Sequence, residues 1–272
     1  MPDQISTLRN FLAAARHIAV LTGAGISTES GIPDFRSPGG LYRTVTSEEV
    51  FDIVLFDRHP DRFYQTFGPI YRAILDARPN EGHLALAELE RSVREVTIAT
   101  QNIDNLHQKA GSRTVYELHG SLRTLTCRQC GRMRQVKGNT EIKENKEIKG
   151  NNRGSGNNGK EPADDLADLL AAGQVPRCPC GGVFKPDIVF FGEALPEFAL
   201  GASVFAFESA DLILALGTSL AVYPAAELPN RRAGSAKFVI INAEPTSLDH
   251  DADLVIRAPL GVTLREAIAR LR

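Results

Sequence analysis

The sequence lacks the features that mark several classes of protein. Its 31 lysines and arginines nearly balance its 33 aspartates and glutamates, and the formal net charge of -2 provides no basic surface for a nucleic acid. No apolar run reaches the ~18 residues that would span a bilayer, and the first residues lack the basic start of a signal peptide. A composition of 43% hydrophobic and 24% charged residues excludes disordered, collagen-like and coiled-coil chains. We therefore expect a soluble, cytoplasmic protein that binds neither nucleic acids nor membranes.

Cysteine is also scarce, and the four cysteines form two pairs. Cys127 and Cys130 make a C-x2-C, Cys178 and Cys180 make a C-x-C, and a glycine follows each pair. In a reducing compartment such pairs are more typical of metal ligands than of disulfides. A turn after the second cysteine lets the sulfurs approach a tetrahedral ion, so the pattern predicts one structural Zn²⁺. The shorter C-x-C leaves ligation by both of its sulfurs open, and two unrelated buried pairs are the alternative.

Short apolar runs recur along the chain, separated by segments long enough for crossover helices. The runs are 17–22, 95–100, 211–217 and 237–242. This alternation predicts an α/β fold with a doubly wound, parallel, Rossmann-like sheet. A helix is expected before the first run, with Ser6 as its N-cap.

Two segments interrupt this alternation. Residues 47–77 have helical character with aromatic side chains spread through them, which predicts a helical insertion. Residues 138–160 are dominated by Asn, Gly, Lys and Glu, and cannot bury enough apolar surface to offset the entropy of ordering. We interpret this stretch as a flexible loop whose ends a metal at the flanking cysteines would tie together, with a specific binding tail as the alternative. The predicted division is a large Rossmann-like domain (1–46, 78–126 and 186–272), the helical part of a small domain (47–77) and a zinc-binding module (127–185).

A glycine turn follows the first predicted strand, at residues 23–25. Such a turn between a strand and a helix presents backbone N–H groups to a phosphate and is typical of dinucleotide binding. Alone the signal is weak, because the third glycine of G-x-G-x-x-G is missing. An acid, an aromatic and a cation follow at Asp34, Phe35 and Arg36, where they could cover a bound ligand.

Polar side chains follow the second predicted strand at Gln101, Asn102 and Asp104, at the strand end where ligands of parallel sheets bind. His119 stands beside Gly120, shortly before the first cysteine pair. A lone histidine is more often structural than catalytic, and His107 is intermediate. We interpret four histidines as structural: His17, His59, His83 and His250.

Together these segments resemble the sirtuin family, the NAD-dependent protein lysine deacylases, in its bacterial type. The matching segments follow the family's order over nearly the whole chain. They are GAGISTESGIPDFR at 23–36, TQNID at 100–104, LHG at 118–120, the cysteine pairs, KPDIVFFGE at 185–193, GTSL at 217–220 and INAE at 241–244. The C-x-C pair and the loop at 138–160 depart from the family.

The resemblance implies a reaction in which the acyl-lysine carbonyl oxygen attacks C1′ of the nicotinamide ribose and releases nicotinamide. A histidine then acts as general base on a ribose hydroxyl, which leads to O-acyl-ADP-ribose and free lysine. His119 matches this base, and Asn102 and Asp104 match the residues that hold the nicotinamide end and its ribose. The resemblance assigns Gly23, Ala24, Gly25 and Ser27 to the phosphates, Asp34, Phe35 and Arg36 to a cover over the ribose, Gln101, Ile103 and Asp104 to the ribose side, and Gly217, Thr218, Ser219, Asn242 and Glu244 to the adenosine half of NAD.

The resemblance also implies how an acylated-lysine protein or peptide binds. Residues Val189, Phe190, Phe191, Gly192 and Glu193 resemble the extended strand to which the family's substrates add by β-augmentation, which reads little side-chain sequence. A buried strand edge is the alternative.

Family members that prefer succinyl or malonyl lysine share a Tyr-x-x-Arg pair in the helical insertion, and Phe67 and Ile70 stand at its place here. A carboxylate would lose its hydration without a partner there, whereas apolar chains gain ~0.8 kcal/mol per buried methylene. We therefore expect removal of neutral acyl groups, acetyl and longer aliphatic ones.

Two other functions would use the same fold. A mono-ADP-ribosyltransferase would share the NAD site but use a different acceptor, and a non-catalytic sensor would only bind NAD. His119 with Asn102 and Asp104 argues against the sensor, because binding alone needs no base at the ribose.

Overall fold

The computed structural model describes residues 2–33, 50–92, 95–136, 165–269 and 271. Asp34, Phe35, Arg36 and the predicted loop at 138–160 lie outside these ranges. The strands of the described part are β1 (His17–Thr22), β2 (Glu95–Thr100), β3 (Val115–Glu117), β4 (Gly120–Cys127), β5 (Met133–Gln135), β6 (Phe184–Ile188), β7 (Leu212–Leu216), β8 (Lys237–Ile241) and β9 (Leu254–Ile256).

Six of these strands form one parallel sheet in the order β3-β2-β1-β7-β8-β9. The chain leaves β1 toward β2 on one side and returns to β7 on the other, which is a doubly wound topology with a switch point between β1 and β7. The predicted Rossmann-like α/β fold is therefore confirmed. Ligands of such sheets bind at the carboxyl ends of the strands beside the switch point.

The α-helices of the described part are α1 (Pro2–Ala14), α2 (Ile53–Arg58), α3 (Pro60–Asp76), α4 (Glu81–Arg91), α5 (Leu106–Ala110), α6 (Asp165–Ala171), α7 (Glu197–Ser209) and α8 (Leu260–Ile268). None of them is both long and apolar enough to cross a membrane. Ser6 lies inside α1, so the expectation that it caps the helix was wrong. The helix begins one turn earlier, at Pro2, a residue type favoured at the first helical position.

Helices cover both faces of the large sheet. On one face Val20 of β1 belongs to the same buried cluster as Leu86 of α4 and Leu264 of α8. On the other face Leu21 packs in a cluster with Phe207 of α7. A strand buried on both faces is apolar throughout, and this explains why runs 17–22 and 95–100 coincide with β1 and β2.

The remaining strands form an antiparallel sheet in the order β5-β4-β6. This sheet begins at Gly120, upstream of the predicted domain limit at 127. Helices α2 and α3, within the predicted insertion at 47–77, share a second core with it. The Tyr64 hydroxyl of α3 donates to the Phe184 carbonyl of β6 at 2.5 Å and joins the helices to this sheet.

Candidate active site

A cavity of about 1450 Å³ opens at the carboxyl ends of the large sheet and extends toward the second sheet. Every predicted NAD-site and substrate-site residue that the structure describes lines this cavity. These residues are Gly23, Ala24, Gly25, Ser27, Phe67, Ile70, Gln101, Asn102, Ile103, Asp104, His119, Val189, Phe190, Phe191, Gly192, Glu193, Gly217, Thr218, Ser219, Asn242 and Glu244.

Glycines form the floor of the cavity at the switch point. Gly25 N–H donates to the Gly217 carbonyl at 2.8 Å, and Gly23 N–H donates to the Leu216 carbonyl at 3.1 Å. A Cβ on Gly25 would lie 2.8 Å from the Gly217 backbone, so only glycine fits there. The predicted helix after this turn is a short 3-10 helix, Ala24–Ser30. The floor thus presents main-chain groups and leaves room for a ligand.

Polar side chains after β2 are held in place by Ser27. The Asn102 amide donates to the Ser27 hydroxyl and to the Gly23 carbonyl, each at 3.1 Å. The Ser27 hydroxyl donates to Asp104 Oδ2 at 2.7 Å, and Leu106 N–H donates to the other carboxylate oxygen at 2.9 Å. Asn102 and Asp104 are therefore oriented before any ligand binds.

Two buried histidines lie behind this network. His83 Nε2 lies 3.5 Å from the Ser27 hydroxyl, and His107 Nε2 lies 3.0 Å from the Thr22 hydroxyl. Burial lowers the pKa of His83 to about 4, against the raising effect of Asp104, and burial also holds the pKa of His107 well below its usual value. Both imidazoles are neutral at pH 7. Sequence reasoning gave no link between His83 and Ser27, because the contact joins distant segments.

His119 lies in the turn between β3 and β4. Burial lowers its pKa, and a hydrogen bond with the main chain of Gln101 partly opposes this effect. The imidazole is therefore neutral near pH 7, as a general base requires. The Gln101 side-chain nitrogen is buried without a hydrogen-bond partner among the described residues. A buried unsatisfied donor in the cavity wall fits a ligand that carries hydroxyl groups.

The wall toward the second sheet is apolar. Phe190, which is 1% exposed, has its ring centroid 5.9 Å from Phe51 and 5.0 Å from Phe63. Phe67 stacks on Phe63 at 5.0 Å. This surface suits a neutral, apolar group.

The segment at 189–193 is not a regular strand, which corrects the expectation of an extended strand. β6 ends at Ile188, and Gly192, at φ 89°, closes a turn in which Glu193 N–H donates to the Phe190 carbonyl at 3.0 Å. Only glycine adopts that backbone angle at no steric cost, so the strand cannot continue. Phe191 forms an isolated parallel bridge with Asp52.

Sequence reasoning missed three other residues that line the cavity, Val222, Tyr223 and Pro224. Tyr223 is 68% exposed. The Tyr-Pro dipeptide indicates only a turn at this place, and nothing in its composition points to a ligand.

The four cysteines come together at the edge of the second sheet. Their sulfurs all lie within 4.8 Å of one another, with 3.6 Å between Cys127 and Cys180 and 3.7 Å between Cys130 and Cys178. Tetrahedral Zn²⁺ with Zn–S bonds of ~2.3 Å separates its sulfurs by about 3.8 Å. The four thiols therefore fit a zinc ion, and the short C-x-C does not keep Cys180 away from the others.

The backbone around the cysteines also suits an ion. Gly131 and Gly181 follow the two pairs in left-handed turns, at φ 72° and 90°. Burial raises the pKa of Cys127, but hydrogen bonds from the main chain of Cys130 and Gln129 and from neighbouring thiols lower it to about 6. At Cys180 the main chain of Gly182 lowers the pKa, but neighbouring thiols and burial raise it to about 12, so the proton is shared unequally within the cluster. A thiolate at neutral pH is the form that binds zinc.

The chain is similar in sequence to a family of known proteins over most of its length. A model of the Sir2 family matches residues 23–224. The chain is 40% identical over 272 residues to NAD-dependent protein deacetylase 1 of Pyrobaculum aerophilum, covering 99% of this chain and 96% of that protein.

Two solved structures match over most of the chain. A Sir2 structure with a deacetylated p53 peptide and 3′-O-acetyl-ADP-ribose superposes with a TM-score of 0.82 at 36% identity, covering 98% of each chain. Sir2Tm bound to a propionylated peptide gives a TM-score of 0.79 at 35% identity, again covering 98% of each chain.

Proposed function

The chain belongs to the Sir2 family, and from that premise we infer that it catalyses the NAD-dependent removal of acyl groups from protein lysines. The products are nicotinamide, O-acyl-ADP-ribose and free lysine. The observation that carries this function is the position of a neutral imidazole, His119, between a polar network and an apolar wall of one cavity.

The nucleotide half of the proposed site is the glycine floor with the network after β2. Bound NAD supplies a ribose carbon that becomes electrophilic as the nicotinamide bond breaks. Gly23, Gly25 and Gly217 leave room for the pyrophosphate, and the Gln101 side-chain nitrogen, which has no partner within the described part of the chain, can donate to a ribose hydroxyl. Asn102 and Asp104, fixed by Ser27, would orient the nicotinamide end and its ribose.

His119 is the proposed general base. Its ring is held by the main chain of Gln101 on the nucleotide side, and its own carbonyl accepts from Val189 N–H at 2.9 Å on the other side. The lowered pKa leaves the imidazole free to accept a proton from a ribose hydroxyl at neutral pH. A positioned base of this kind contributes about 10²–10⁴-fold to a rate.

The acyl-lysine half of the proposed site is the apolar wall. Residues 189–193 and 222–224 line the same cavity, which supports a peptide that binds along these segments through its main chain. Phe67 and Ile70, 0% and 5% exposed, line the cavity where an acyl chain would end. We propose neutral acyl groups as substrates, because an unpaired carboxylate would be desolvated there.

We also propose a structural metal ion, a cellular location, partners and a division of roles between the two domains. Cys127, Cys130, Cys178 and Cys180 would hold a structural zinc ion, which keeps the second sheet in shape. We place the protein in the cytoplasm, where thiols stay reduced, and expect acylated proteins rather than nucleic acids as partners. The large domain would carry NAD, and the small domain would complete the acyl-lysine side.

One incubation tests the function against its alternatives. The purified protein is mixed with NAD and an acetyl-lysine peptide, with an NAD-free sample as control, and the products are analysed by mass. A deacylase gives deacetylated peptide and O-acetyl-ADP-ribose in equal amounts. ADP-ribosylated peptide would instead indicate a mono-ADP-ribosyltransferase, and absence of all products would indicate a sensor.

A further inference from the structure

Lys185 is a buried charged residue that the proposed reaction does not use. It lies in β6 and is 7% exposed. Its ammonium nitrogen lies 2.8 Å from Glu193 Oε2, 2.8 Å from the Ile188 carbonyl and 3.2 Å from the Pro186 carbonyl. An ammonium has three N–H donors, so these three acceptors satisfy all of them.

The Lys185 ammonium group holds Phe190 both directly, at its ring, and indirectly, through Glu193. It lies 4.3 Å from the centroid of the Phe190 ring, a cation–π distance. Glu193 Oε2, its ion-pair partner, also accepts from Phe190 N–H at 2.9 Å. Burial lowers the pKa of Lys185, but the Glu193 carboxylate opposes this effect and favours the charged form. Lys185 therefore holds both ends of the turn at 188–193.

That turn borders the two functional parts of the cavity. Phe190 forms the apolar wall, and Val189 N–H donates to the His119 carbonyl. Lys185 is not among the residues that line the cavity, so it can act there only through the turn.

We propose that Lys185 is the positioning residue of the acyl-lysine site. Through the Ile188 carbonyl, the Glu193 carboxylate and the Phe190 ring, it holds the turn at 188–193 in the shape that receives the acylated lysine. This inference rests on the proposed deacylase function. A pair that only stabilised the fold would affect peptide and NAD alike.

The test compares Lys185→Met and Lys185→Arg with the wild-type protein, each loaded with zinc. Methionine keeps the aliphatic stem but removes the charge. We expect Lys185→Met to raise the peptide KM, and the peptide Kd from calorimetry, about tenfold, with the NAD KM and kcat within about threefold. Lys185→Arg keeps a cation for Glu193 and Phe190 and should recover most of the loss. As a control, Lys237→Met breaks an ion pair with Asp253 at the first residue of β8 in the large sheet, outside the cavity lining, and should change neither KM.

Two results would overturn the inference: an unchanged peptide KM in Lys185→Met, or equal increases in the KM of peptide and NAD. If Lys185→Met does not fold, Glu193→Gln is the variant that tests the inference. Glutamine keeps an acceptor for Phe190 N–H but removes the negative charge that pairs with Lys185. We expect Glu193→Gln to raise the peptide KM at least about threefold, and an unchanged value would refute the inference. A wild-type protein without O-acetyl-ADP-ribose formation would refute the proposed function instead.

Discussion

The Val189 N–H donates to the His119 carbonyl at 2.9 Å, so a main-chain hydrogen bond joins the proposed base to the turn at 188–193, where we propose that the substrate peptide binds. Gly120, at φ 74°, has no room for a Cβ against the Asp187 carbonyl, which brings the His119 turn directly onto the end of β6. The loop that carries the base and the end of β6 are therefore in direct main-chain contact.

Replacing His119 by alanine should lower deacylation at least about 10²-fold and leave NAD binding nearly intact, because the imidazole serves proton transfer and the nucleotide contacts lie elsewhere. Steady-state kinetics and NAD calorimetry measure the two effects. The control is His17→Ala, which should behave as wild type. His17 is the first residue of β1, at the end away from the cavity, and its side chain is 52% exposed. Near-normal turnover of His119→Ala would remove His119 from the mechanism.

Acid should destabilise the protein through His83. This imidazole faces Asp104, Asn80, Ser27 and His107, and burial lowers its pKa to about 4 from 6.5. Between pH 6.5 and pH 4 the His83 imidazole is protonated in the unfolded chain but neutral in the folded protein. The stability that is present above pH 6.5 is therefore lost as the pH falls toward 4. The shift corresponds to about 3 kcal/mol.

Chemical denaturation of wild type and His83→Asn at pH 7 and pH 4.5 measures this effect. The free energy of unfolding should fall less with acid in the variant, whereas the exposed His250→Asn should follow wild type. Parallel losses in all three proteins would show that His83 does not carry the acid sensitivity.

One zinc ion per chain should be found in freshly purified protein by elemental analysis. Cys127→Ser should abolish it and lower stability and solubility before it changes the chemistry of the folded fraction. Cys180→Ser should do the same, since its sulfur lies 3.6 Å from that of Cys127. A zinc-free wild type of full stability would contradict this prediction, and zinc retained only in Cys180→Ser would leave that one cysteine out of the site.

Acetyl and butyryl lysine should be removed with a kcat/KM at least about tenfold above that for succinyl lysine on the same peptide, because a buried unpaired carboxylate loses its hydration. The double variant Phe67→Tyr/Ile70→Arg places a hydroxyl and a guanidinium in the apolar end of the cavity and should shift the ratio toward succinyl. Phe67→Tyr alone is the matched control and should not. A wild-type preference for succinyl would show that another cation reaches the pocket.

The sequence predicted the elements whose signal is local. A strand buried on both faces is a continuous apolar run, so β1 and β2 were found at their limits. Gln101, Asn102 and Asp104 could be predicted as cavity residues because they follow a strand of the parallel sheet, whereas Phe67, Ile70 and residues 189–193 came from the resemblance to the sirtuin family. The ion pair between Lys185 and Glu193 across the turn at 188–193 could not be predicted, since it depends on how this turn folds back onto β6. The contact of His83 with Ser27 was equally hidden, because the two lie far apart in the chain.

Main chain meets main chain where Gly25 approaches Gly217, and the dimensions of the cavity floor are therefore set by covalent geometry rather than by side-chain rotamers. Substitutions of Gly25 or Gly217 cannot be used to change the nucleotide preference, because even one added methyl group would collide with the main chain of the other segment. The exposed rim at Glu244, which follows β8, is the place where such changes can be tolerated.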